Sequence, residues 1–398
     1  MCHDTTGTYK KFPTSCGNPP YTEKKFGKKI FPPVNLKKVA RNIGLSSRAT
    51  CGACHFKGGG GDGVKHGDLD SSLVSPDHAL DVHMDAKGLN FTCTRCHTEN
   101  GHQVEGRYYS NPATTKHSLA MPSDSPSRIA CESCHSAHPH KDKKDSTILN
   151  NHIAKIACET CHVPLLAKKK PTLVWWDWST AGKFKEGHKY IVKKDALGKV
   201  SYHTKKGDLG WAKNIQPEYA WFNGVITHVL ATDTINDSKP VRLTILHGNN
   251  NDPQSKITPF KMVRGKQVYD PVNKTLVVPK LFGPKGSGAY WKDFDWQKSA
   301  AAGQQAVHRK FSGKVGFIET EYLRPVAHMI SPANDAVSCE SCHSRDGRLK
   351  KLTGFYMPGR DFSKRLDYIG WFSCLALLVL AGLHGVVRII TSKGRRNS

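Results

Sequence analysis

Hydrophobic positions are thinly and unevenly spread along this chain, and only the C-terminal end carries a long apolar run. From Tyr368 to Val387, 20 consecutive residues lack a formal charge. At about 1.5 Å per residue, a helix of that length crosses a hydrocarbon core of about 30 Å. The pattern predicts a transmembrane helix over 366–391 and a basic tail over 392–398. Arg388, Lys393, Arg395 and Arg396 place that tail on the cytoplasmic side by the positive-inside rule, so everything upstream lies outside. Upstream the periodicity is weak. Residues 1–50 are basic and rich in Pro and Gly, and read as irregular connecting chain. Within 163–338, Lys199 to Tyr202 and Gln267 to Val278 alternate and turn like short β-hairpins, whereas Tyr290 to Phe311 has helical character.

Composition sharpens this picture. Only 38% of residues are hydrophobic, too few for a large aliphatic core in 398 residues, so something else must supply buried apolar mass. Of 13 cysteines, 10 fall into five Cys-x-x-Cys pairs, too local for a disulfide framework. These are Cys51 with Cys54, Cys93 with Cys96, Cys131 with Cys134, Cys158 with Cys161, and Cys339 with Cys342. His55, His97, His135, His162 and His343 follow directly. With 21 histidines in the chain, five chance matches have odds on the order of one in a few million.

The spacing has a chemical reason. Two thiols three positions apart on one helical turn can each add to a vinyl group of a haem, and the next residue then lies beneath the iron as its proximal ligand. Zinc ribbons also use Cys-x-x-Cys pairs, but they do not require His at the same offset every time. Five covalent c-type haems therefore serve as the core. Their roughly ten propionates offset much of the formal charge of +26, which argues against a nucleic-acid partner and leaves a basic surface able to steer small anions. The expected fold is mainly α with much irregular structure: a multihaem cytochrome c arrangement, short β-hairpins in a haem-poor insert, and one C-terminal membrane helix. The corresponding segments are 1–162 (haem-dense), 163–338 (the insert, with seven of the eight tryptophans), 339–365 (fifth motif and linker), the helix and the tail. The tryptophans are read as packing against haem edges or a small core, and the Gly58 to Gly61 run as flexible packing; no Gly-Lys-Ser/Thr follows it as a phosphate loop requires.

A half motif opens the chain, because Cys2 and His3 read as the end of a sixth Cys-x-x-Cys-His. No signal segment precedes the motifs although haem attachment is extracytoplasmic, and a sequence truncated at its N-terminus accounts for both observations. Fifteen histidines remain as second axial ligands. His66, His83, His138, His152 and His328 are singled out, with His140 placed like His138. Iron with two histidines is coordinatively full and passes electrons, whereas a catalytic haem needs an open position. His384, inside the membrane span, is expensive there; a b-type haem of a partner, a quinone pocket and an interfacial position without a role are all open readings.

The run from Cys51 through His66 to Leu69, the segment from Pro217 to Gly224, and that from Lys256 to Lys261 resemble the octahaem tetrathionate reductase family over most of 1–360. The resemblance implies eight haems in the full-length protein, one of them ligated by the lysine of a Cys-x-x-Cys-Lys motif that this chain lacks. It also implies reduction of tetrathionate, nitrogen oxyanions or hydroxylamine. The membrane helix departs from a soluble enzyme and points to electron input from a quinol-oxidising membrane subunit or another cytochrome, with the haem domain in the periplasm and the anchor in the inner membrane. A pure relay between a quinol pool and a separate terminal reductase is the competing expectation.

Overall fold

The structure, a computed structural model, describes residues 2–9, 12, 18–100, 103–104, 109–110, 129–141 and 145–394. Four of the five complete motifs sit on one helical turn each: on α1 (Arg48–His55), α2 (Glu132–His135), α4 (Cys158–His162) and α6 (Cys339–Cys342), with α3 (Ser146–His152) between the second and third of these. Around Cys93 the turn is a 3₁₀ one. Helix α1 starts where the sequence supplies a capping box: the Ser47 side chain accepts from the Thr50 N–H, and the Thr50 side chain binds back to the Ser47 backbone. Residues 1–50 contain a small hairpin, Lys24–Phe26 against Lys29–Phe31, and a short helix, Leu36–Arg41.

The expectation of a mainly α chain fails in the insert. Nine strands form one mixed sheet: β1 (Thr172–Asp177), β2 (Val192–Lys194), β3 (Val200–His203), β4 (Gly207–Ala212), β5 (Glu218–Phe222), β7 (Val241–Arg242), β9 (Lys256–Asp270), β10 (Thr275–Leu276) and β11 (Gly316–Pro325). Two further strands, β6 (Val225–His228) and β8 (Thr244–Leu246), pair beside it. The main path runs β7-β11-β9-β1-β4-β3-β2, and β5 and β10 also pair with β9. β9 and β11 run antiparallel from Phe260↔Pro325 to Tyr269↔Gly316, while β1 lies parallel to β9. The β3–β4 and β9–β10 hairpins occupy the positions where alternation is visible, as parts of this larger sheet. The long strand escapes a periodicity argument for a physical reason: Ile257 through Lys261 are buried in succession, so period-2 alternation disappears, and Pro259 and Gly265 interrupt the β-forming residues.

Apolar packing is divided into small clusters. Phe56, Leu73, Leu80 and Met329 form one; Phe222, Ile226, Phe260 and Leu323 a second; Val163, Leu166 and Val326 a third; Val268, Val277 and Ala300 a fourth, the last residue on α5 (Trp296–Ala306). Several insert aromatics pack on one another: Trp176 and Trp178 stack at 4.7 Å, and Tyr290 and Trp296 at 3.6 Å.

One buried carboxylate pins the hairpin beyond β9. Asp270 accepts from the backbone N–H groups of Val272, Asn273 and Ser312 and from the Ser312 hydroxyl. Burial alone would raise its pKa, but these donors, the Ser312 hydroxyl foremost, bring it from 3.8 down to about 2. The folded value lies below the unfolded one, so this contribution is complete above the ordinary carboxylate pKa and is lost as pH falls toward 2. Asp270→Ala is expected to cost about 2–4 kcal/mol, read from denaturant unfolding at pH 7, with the gap to wild type narrowing in acid.

The chain divides into two compact units, Met1–Val337 and Ser338–Ser398. In the second, helix α7 (Lys364–Gly394) carries the apolar run, with Trp371, Phe372 and Leu378 all exposed. Arg395 and Arg396 of the basic tail lie outside the described residues.

Candidate functional site

In every motif the chain makes one tight turn. The His97, His135 and His343 N–H groups each donate to the carbonyl of the first cysteine of their own motif, at 2.8–2.9 Å, and His55 and His162 end helices of their own. That turn brings both sulfurs and the imidazole to one side of the backbone. Motifs far apart in sequence also converge. The Cys93 thiol lies within hydrogen-bond reach of Cys51, and burial first, then that neighbour, pushes it up to about 11. Burial also raises the Cys96 thiol, with Cys134 contributing next.

The two cysteines of the first motif have different surroundings, a difference that their shared spacing does not foretell. Cys51 approaches the second motif at Cys93, whereas Cys54 lies near Tyr9, in the segment that follows the half motif of Cys2 and His3. The Tyr9 hydroxyl donates to Tyr21; this bond and then burial raise the Tyr9 pKa, and the Cys54 thiol adds to the rise. Cys54 is half-buried in the last turn of α1, and its carbonyl accepts from the Phe56 and Lys57 N–H groups that close the helix. Cys2, in contrast, is exposed.

The histidines meet in twos. His135 faces His83 with ring centres 5.9 Å apart, His97 faces His328 at 6.1 Å, and His162 faces His140 at 6.5 Å. Two imidazoles on opposite sides of one iron, each bonded at about 2 Å, set their ring centres about 6 Å apart. All three gaps are therefore of the size that a six-coordinate haem iron takes. Among the described residues no three or more His, Cys, Asp or Glu side chains converge as a zinc-type cluster would require.

Tautomers point the same way. A carbonyl oxygen only accepts, so an Nδ1 beside one carries the proton and leaves the Nε2 lone pair for a metal. His3 Nδ1 lies 2.9 Å from the Gly44 oxygen, His152 Nδ1 2.7 Å from the Ile148 oxygen, and His343 Nδ1 3.0 Å from the Pro358 oxygen. The last contact needs Gly359, whose φ is +81° and where a Cβ would collide with the His343 oxygen. His140 Nδ1 is 3.1 Å from Asn150 Oδ1, and Asn150 also donates to the His140 carbonyl. His328 Nδ1 is 3.0 Å from Asp68 Oδ2, and the Ala327 and His328 N–H groups donate to the same oxygen.

Two segments distant in sequence hold the His83 and His328 rings. Asp81 accepts from the backbones of His83 and Met84 with one oxygen and from Ile330 with the other, while the Val82 N–H donates to the Ile330 carbonyl. Burial lowers the His83 and His162 pKa values and takes His66 to about 4, which keeps these rings neutral and able to bind metal at neutral pH. His328 is the exception: burial would lower it, but the Asp68 carboxylate raises it.

Of the second ligands singled out from the sequence, His83 and His328 thus stand opposite motif histidines. His66 is half-buried next to Asp68, its carbonyl accepting from Thr172 Oγ1. Its loop packs there because Gly63, at φ +74°, passes the Pro171 oxygen more closely than any Cβ allows. His152 has the ligand tautomer. His138 is exposed, and it is His140, two residues on, that faces His162. His102 and His117 lie outside the described residues. The sequence signal that separates His140 from its neighbour is Asn150, ten positions away on α3. His140→Ala is expected to open the sixth position of the haem facing His162 and to convert one low-spin signal to high-spin, whereas His138→Ala leaves the spectrum unchanged. Electron paramagnetic resonance of the haem-loaded protein reads this, and the opposite pattern would reassign the pair.

Comparisons with known proteins agree with this geometry. Residues 173–346 match the family described as "Cytochrome c bacterial". No curated protein sequence matches the chain. The crystal structure of octaheme cytochrome c from Shewanella oneidensis is 39% identical and superposes with a TM-score of 0.72, covering 87% of this chain and 72% of that one. The cofactor is covalent haem c. Identity at that level, over that much of both molecules, places this chain in the octahaem cytochrome c family, the octahaem tetrathionate reductase family that its motifs resemble.

Proposed function

We propose that this chain is the electron-carrying, membrane-anchored part of an extracytoplasmic reductase acting on tetrathionate, nitrite or hydroxylamine. The observation that carries the electron-transfer reading is the set of three imidazole pairs about 6 Å apart, each pairing a motif histidine with one from elsewhere in the chain. Haem supplies a one-electron couple wherever it is bound. The protein's own part is to fix both axial nitrogens and to bring neighbouring motifs together, as at Cys51 and Cys93. Helix α7 supports anchoring in the inner membrane, with the haem-bearing part in the periplasm, the tail in the cytoplasm, and a quinol-oxidising membrane subunit as electron donor. The basic composition supports a small anionic substrate.

Assay of the complete gene product with reduced viologen against the three substrates tests the reading; no turnover on any of them removes it. Deleting residues from 364 onward is expected to release the protein from the membrane fraction with its haems intact. A pure relay is the second reading, favoured by the closed coordination that the three pairs provide. A high-spin haem in the complete protein decides for catalysis, and uniformly low-spin iron for relay.

A further inference from the structure

The register of β9 against β11 sets Lys261 directly opposite Arg324, so two cations project from the same face of adjacent strands. Lys261 is 1% exposed, and Arg324 is half-buried. The Lys261 ammonium donates to the Val64 carbonyl at 2.9 Å, which brings it beside Lys65, itself half-buried. Two residues along β11 from Arg324, Tyr322 takes that guanidinium over its ring at 4.4 Å and stacks on His228 at 6.1 Å. Burial lowers both lysine pKa values, and the Arg324 charge adds to the effect on each.

Among the described residues, Asp68 is the one carboxylate that acts on any of these three cations, and its Oδ2 already accepts from His328 and two backbone N–H groups. Like charges opposite each other across a ladder destabilise it, and a buried cation without a counter-ion is strongly unfavourable. A guanidinium together with two ammonium groups is a donor set suited to a planar or tetrahedral oxyanion.

We propose that Lys65, Lys261 and Arg324 form an anion-binding site that takes a carboxylate or a small inorganic oxyanion. The carboxylate source is a propionate of the haem held near His328; the inorganic source is a free ion such as nitrite or phosphate. The site stands apart from the reductase reading, since either anion can bind without turnover.

The test compares the haem-loaded full chain with Lys261→Met, Arg324→Gln and the charge-preserving Arg324→Lys. Calorimetric titration with nitrite and with phosphate, and a mediated redox titration of the haems, are run on each. If the ion is free, wild type binds it saturably and Arg324→Gln weakens binding by about tenfold or more, with Arg324→Lys intermediate. If a propionate is bound, no added anion binds, and Arg324→Gln lowers the potential of one haem by removing its neutralising charge. Both results support the site, and they separate its two sources. Unchanged anion binding together with unchanged potentials in Arg324→Gln, at full haem content, would overturn it, even if Lys261→Met fails to fold. Loss of turnover on every substrate with anion binding retained would remove the reductase reading and leave the site intact.

Discussion

Cys158→Ser combined with Cys161→Ser is expected to abolish folding of the first unit, and not merely to remove one haem. The fourth motif ties several separate parts of that unit together. Thr160 donates from its hydroxyl to the Ile257 carbonyl on β9, the Ser331 N–H donates to the His162 carbonyl, and the Val337 N–H to that of Cys161. Next to it the apolar cluster of Val163, Leu166 and Val326 contains only three buried residues, and the other clusters are hardly larger. Burying a Leu or Val side chain yields about 1.5–3 kcal/mol, so a cluster of this size cannot offset the ordering of the segments around it. The remainder must come from the macrocycle, in the way that metal binding is folding free energy in small metalloproteins. Mass spectrometry of the exported variant should show one haem fewer, and circular dichroism should show loss of the cooperative melt. A variant that lacks the haem but melts at the wild-type temperature would refute this account of the core.

The second large effect is electrochemical. Asp68 is 2% exposed and binds the Nδ1 proton of His328, which faces His97. A carboxylate in that position makes the imidazole a stronger donor and favours the more positively charged ferric iron. Removing the charge with Asp68→Asn should therefore raise the potential of the haem attached through Cys93 and Cys96. Hydrogen bonds to charged groups contribute about 1.5–3 kcal/mol, and for a one-electron couple about 59 mV corresponds to a tenfold change, or about 1.4 kcal/mol. An upward shift of about 60 mV or more is expected in a mediated titration, with the other haems nearly unchanged. Identical potentials in the two proteins, at equal haem content, would exclude the role.

The covalent part of the site is legible in the sequence because it is local: both sulfurs and the proximal imidazole come from five consecutive residues that need only one turn of backbone. Even there the surroundings are not local, since nothing in the spacing says that Cys51 comes near Cys93 while Cys54 comes near Tyr9. The second ligands are not local either. His328 meets His97 across more than two hundred residues, and that pairing depends on Asp81 tying Ile330 to the backbone of His83. Choosing His140 over His138 likewise requires knowing that Asn150 folds back onto it. The sheet was hidden for the opposite reason: its longest strand is covered on both faces over Ile257 to Lys261, and a lysine and a proline occupy positions where a strand pattern expects apolar residues. The apolar run of α7, in contrast, needs no partner within the chain and is visible from composition alone.

The nearness of Cys51 to Cys93 bears on how electrons move between the first two motifs. Once each sulfur is a thioether, the rims of two macrocycles are tethered side by side, and the polypeptide between them cannot drift apart without straining both links. Because the macrocycles themselves hold this unit together, the juxtaposition is a product of attachment and arises only as the haems are taken up.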